Sequence, residues 1–223
     1  MATLAVTVAV FATALYAGRS PRAVLSALVQ AVHPFHPSPD YALVTDNGRP
    51  AAWPGCATVP YVVNLAHAPA NAATVLTGAL ATLHQLTGLT FTEVGTTSRV
   101  DFAGYATGAA TPPVAIAWVP PADLLGQSGV NAVTRPYADA SGQMASAVVL
   151  LGTQTNANFA RYPLFARNLL LHELAHVVGL ADIDDPTQIM NTTLQPSTTL
   201  DQYGAGDRAG LARLYPHPGR CAA

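Results

Sequence analysis

The stretch HELAHVVGLADIDDPTQIMN, residues 172–191, holds the groups best suited to chemistry. His172 and His176 lie four residues apart in a segment that reads as helix, so one turn sets both imidazoles on the same face, aimed at a shared point. Neutral imidazole nitrogen binds zinc at about 2.0–2.1 Å, and such a pair can share one ion. Glu173 adjoins the first histidine, rotated about 100° around the helix axis. From there a carboxylate reaches a water at the ion without binding the ion. This is the arrangement of a zinc hydrolase, in which the ion acidifies a water and Glu173 is the catalytic base that takes its proton. The run NLLLHELAHVVGL is apolar all round, so the helix is expected to be buried, and two His and a Glu in a buried helix need partners or a metal.

Two histidines leave a catalytic zinc one protein ligand short. No Glu follows Glu173, which excludes a glutamate from a later helix. Asp182 is the first candidate. Gly179 precedes it by three and can take the positive φ that ends a helix and turns the chain back under the ion. Asp184, Asp185 and Asp201 are the other carboxylates within reach by sequence.

The pattern His172-Glu173-x-x-His176-x-x-Gly179-x-x-Asp182 resembles the metzincin zinc signature, with Asp where most members have His. Snapalysin-like members use Asp at that place. Met190, eight residues on, is similar to the family's Met-turn, an apolar floor beneath the metal, and DDPTQIMN looks most like bacterial matrixin-type sequences. The likeness weakens outside the motif, from about Cys56 to Tyr215. It implies a zinc endopeptidase with one catalytic Zn2+ and a protein or peptide substrate. It also implies an α+β fold: a mixed five-stranded sheet with one antiparallel edge strand that binds substrate, a long active-site helix, and a small C-terminal subdomain with the Met-turn and a closing helix. No motif supports a Ca2+ site. The substituted third ligand leaves a second reading, a non-catalytic peptide- or protein-binding chain on the same scaffold.

The elements that must position these groups are legible in part. Residues 57–65 read as a strand, and residues 71–88 as a helix capped by Asn71 and ended by Gly88. LTFTEV and RVDFAGY read as short β pieces, and PVAIAWVP as a buried strand. The run 130–152 reads as a hairpin around DASG, with Pro136 demoting its first strand to an edge. YPLFARNLLLHELAHVVG is the active-site helix with Pro163 near its start, and residues 205–215 form a last helix. This order of strands and helices gives an α/β body with a mixed sheet and a smaller part after Gly179.

Half of the 223 residues are hydrophobic and a tenth are charged, which suits one well-packed domain and argues against disorder. All ten basic residues are scattered Arg and the net charge is -2, so no nucleic-acid footprint is present. Cys56 and Cys221 are too few for a metal cage; they read as a disulfide clamp, with free thiols as the alternative. Residues 2–17 are apolar. That is short for a membrane span and fits the core of a signal peptide, although the basic start is missing; a membrane anchor is the alternative. The expected organisation is therefore residues 1–18 as signal peptide or anchor, 19–50 as leader and linker with a small hairpin at Asn47-Gly48, and 51–223 as the catalytic domain of a secreted protein, contacting membrane only through that anchor.

Overall fold

The computed structural model describes residues 40–106, 112–196 and 199–221. Its strands are β1 (Ala42–Leu43), β2 (Thr45–Asp46), β3 (Arg49–Pro50), β4 (Thr58–Asn64), β5 (Thr90–Thr96), β6 (Val114–Val119), β7 (Ala132–Ala138), β8 (Met144–Gly152) and β9 (Leu180–Ala181). Its helices are α1 (Ala72–Thr87), α2 (Asn156–Arg161), α3 (Pro163–Val177) and α4 (Ala205–Leu214). The α+β class expected from sequence is what forms. The reading of residues 1–18 as signal peptide or anchor, and that of the leader up to residue 39, lie outside the described residues.

Five strands make one mixed sheet in the order β5-β4-β6-β8-β7. Four run parallel, and β7 is the antiparallel edge strand, joined to β8 as the expected hairpin. Successive strand residues face opposite sides of a sheet. On β6 and β8 both sides are covered: Ile116, Trp118, Val149 and Leu151 enter the core beneath the helices, while Ala117, Val119, Val148 and Leu150 pack with Phe102 and Leu124 on the other side. That double burial is why these strands are unbroken apolar runs. Each fully buried Val, Leu or Ile contributes about 1.5–3 kcal/mol.

Helix α3 lies against α1 and against β7 and β8. It is covered on more than one side, because the successive residues Leu169, Leu170 and Leu171 are buried, as are Leu174 and Ala175. The carbonyls at its end have tertiary donors: Trp53 Nε1 reaches Val177 O at 2.9 Å and Tyr215 Oη reaches Val178 O at 2.8 Å. The helix that carries the histidines is thus fixed before the chain turns at Gly179.

Three local expectations are corrected. Residues 99–105 form no strand: Asp101 Oδ1 accepts Ala103 N–H in a tight turn, Gly104 has φ +66°, and the Arg99 guanidinium stacks over Phe102 and Tyr105. Asn71 sits at the N-cap position of α1, but its side chain makes no capping hydrogen bond; its amide instead donates to Phe159 O at 3.2 Å, so a tertiary contact holds the side chain. The expected domain start at residue 51 is too late. Strand β1 pairs with β9, Val44 N–H donates to Gly179 O, and β2 and β3 form the hairpin about Asn47 and Gly48, both at positive φ.

Candidate metal centre

Three side-chain atoms converge at the end of α3. His172 Nε2 and His176 Nε2 are 3.2 Å apart, and Asp182 Oδ1 lies 3.1 Å from the first and 3.5 Å from the second. A tetrahedral ion with bonds near 2.05 Å has ligand atoms about 3.3 Å apart. The observed edges bracket that value.

The hydrogen bonds behind the rings fix which atoms face inward. His172 Nδ1 is 2.8 Å from Ile189 O, and His176 Nδ1 is 2.8 Å from Leu180 O. A carbonyl only accepts, so each Nδ1 carries the proton and each neutral ring turns a lone pair at Nε2 toward its neighbour and toward Asp182. Three acceptors facing one point repel unless a cation stands between them. The titration directions of the bare protein agree. Burial disfavours a charged His172, yet the hydrogen bond a protonated ring donates to the Asp182 carboxylate and the nearby Glu173 charge lift its pKa above the ordinary histidine value. Burial likewise works against the Asp182 carboxylate, yet His172 and His176 hold its pKa well below the usual range. The group of His172, His176 and Asp182 could hold a metal ion.

The chain brings Asp182 there through Gly179, whose φ is +106° and whose carbonyl is tied to Val44. Pairing of Leu180 with Leu43 then sets the carbonyl that orients His176. Beyond Asp182 the loop closes on itself, with Ile183 N–H donating to Met190 O and Thr192 N–H to Ile183 O. Asp185 is committed within that loop, accepting from Thr187 N and Oγ1 and from Gln188 Nε2. Burial works against its charge, but these donors hold its pKa below the ordinary carboxylate value. Asp184 and Asp201 are exposed and join neither the cluster nor the cleft.

Two supports were not legible in the sequence. Asp207 is buried at the third residue of α4 and accepts from Gly204 N and Ile189 N at 2.8 Å and from Met190 N at 3.3 Å. The Ile189–Met190 peptide therefore gives its N–H to Asp207 and its carbonyl to His172. An acid three residues after a Gly at a helix start was the available signal. Met190 itself is buried. The second support is Thr134 of β7, whose hydroxyl lies 2.7 Å from Glu173 Oε2. Tyr203 is buried with its hydroxyl on Leu171 O, so it packs rather than serving the cleft.

Glu173 opens on the same cleft of about 600 Å³ as the three ligand atoms, with β7 residues from Ala132 to Arg135 along one wall and Thr192 to Gln195 on another. Cys56 and Cys221 form a disulfide with Cα atoms 5.2 Å apart. The bond is compatible with an extracellular protein. Among the described residues no helix is long and apolar enough to cross a membrane. No family model and no curated protein matches the chain.

Proposed function

We propose that this chain is a secreted, zinc-dependent endopeptidase resembling the matrixin-type metzincins. One observation carries the reading: two outward-anchored histidines and Asp182 place three lone-pair atoms at tetrahedral spacing, with the Glu173 carboxylate in the same cleft. The donor set, two imidazole nitrogens and a carboxylate oxygen, suits Zn2+ and leaves a fourth position for substrate or water.

His172, His176 and Asp182 would hold the ion. When bound, zinc supplies Lewis acidity that polarises a peptide carbonyl and makes a water easier to deprotonate. Glu173 takes a proton from water in the cleft at its carboxylate and hands it to the departing amine nitrogen. The free edge of β7 lines the cleft and binds an extended peptide as an added strand, presenting the scissile bond to Glu173. The disulfide supports a place of action outside the reducing cytoplasm.

The test uses the purified chain. Elemental analysis should give one zinc per molecule. Casein should be cleaved, the activity should vanish with a chelator and return with zinc, and Glu173→Ala should lose at least about 100-fold in kcat with zinc still bound. Full activity in Glu173→Ala refutes the mechanism. Weak or absent zinc with no cleavage of any peptide favours the non-catalytic binding protein.

A further inference from the structure

The Glu173 carboxylate is held from outside its own helix. Thr134, on the edge strand, places its hydroxyl oxygen 2.7 Å from Glu173 Oε2 and 3.1 Å from the Glu173 backbone carbonyl. A hydroxyl has one proton to give, and the carboxylate is both the nearer and the stronger acceptor. Among the described residues no other hydrogen bond reaches this carboxylate, which belongs to a residue only 5% exposed. A glutamate side chain has three rotatable bonds, so without Thr134 the buried carboxylate would be restrained by packing alone.

We propose that Thr134 is a positioning residue for Glu173. Its hydroxyl fixes Oε2 and leaves Oε1 as the oxygen that takes the proton. Because Thr134 belongs to β7, the device also joins the strand on which a peptide would lie to the base that would act on it: a substrate that orders the edge strand orders the base. This rests on the peptidase reading, and the tests are chosen to fail separately from it.

The chain contains two glutamates, Glu93 and Glu173, so 13C labelling at the Glu carboxyl carbon gives two resonances. Glu173→Gln assigns them. In the metal-free full chain, Thr134→Val, which keeps the branched shape and removes the hydroxyl, should move the Glu173 resonance and leave that of Glu93 in place. Thr134→Ser should return it toward wild type. Thr134→Ala is the second removal variant in case Val disturbs the strand. With zinc loaded, Thr134→Val should lower kcat about 10-fold with KM within about 2-fold, and Thr134→Ser should recover most of the loss. Zinc affinity by chelator competition should stay unchanged, since Thr134 touches no ligand. An unmoved Glu173 resonance, or a Ser variant as impaired as Val, overturns the role of Thr134 in an enzyme that still works. A zinc-loaded wild type that cleaves no peptide overturns the peptidase reading, and the kinetic role of Thr134 falls with it.

Discussion

Gly179→Ala is the sharpest probe of how the backbone builds the candidate centre. At φ +106° an L side chain is strained, costing about 1–3 kcal/mol. An added Cβ would stand 2.5 Å from Ala51 O and 2.9 Å from Leu214 Cδ1. The leucine tip can swing away; the carbonyl belongs to a residue 1% exposed whose backbone N–H is tied to Val44 O, and it cannot move without shifting that backbone. Forced repacking of that kind adds about 1–3 kcal/mol. A combined loss near 3 kcal/mol lowers the melting temperature of a chain this size by roughly 6–12 °C. The same displacement carries the Leu180 carbonyl and Asp182, one and three residues on, whereas metal sites tolerate about 0.2 Å in ligand distance. Zinc affinity should therefore fall about 10- to 100-fold. Thermal unfolding of the metal-free protein reads the first effect and chelator competition the second. Gly78→Ala is the control: Gly78 lies in α1 with nothing within 4 Å of its added Cβ, so that substitution should stabilise the chain by about 0.5–1 kcal/mol. If Gly179→Ala melts within about 2 °C of wild type and binds zinc as tightly, the argument that this turn sets the ligand geometry is wrong.

Asp182→Ala should cut zinc affinity by at least about 100-fold, while Asp184→Ala and Asp201→Ala bind as wild type does; chelator competition on the three variants checks this. Asp185→Asn should keep its zinc but lose stability at neutral pH. The Asp185 pKa is lower in the folded chain than the unfolded value of about 3.9, so its contribution is fully present above that value and is lost as pH falls through the folded one. The gap between wild type and Asp185→Asn in urea melts should accordingly close below about pH 4, and a gap that widens in acid would contradict the assignment.

The histidines of the candidate centre were legible because helix geometry is local: a spacing of four fixes two imidazoles on one face whatever the rest of the chain does. Asp182 followed from Gly179, whose role as a turn is also local. The buried strands β6 and β8 announced themselves as apolar runs, and Pro136 marked the edge. What could not be read depends on contacts between distant residues. Thr134 looks like any strand threonine until the fold sets it beside Glu173, thirty-nine positions later. Asp207 looks like an exposed helix acid until its carboxylate closes on the Ile189–Met190 peptide. RVDFAGY has strand-like composition, yet a side-chain turn at Asp101 and a cation over two rings decide its shape. Residues 42–50 carry the Pro and Gly content of a linker, and only their pairing partner, near residue 180, makes them part of the domain.

The proline at position 136 has one more effect. It pairs with Ala147 within the sheet, and with no N–H of its own it fits where the backbone nitrogen faces the open side of the strand. Residues two apart along a strand aim their backbone groups the same way, so on that open side donors remain at Ala132 and Thr134 and the row then breaks. Under the proposed peptidase reading, a peptide pairing with this edge would therefore find a ladder of only a few residues. Two copies of this domain meeting flank to flank find no long ladder to share, so the strand left open for a visitor is shielded from runaway self-association.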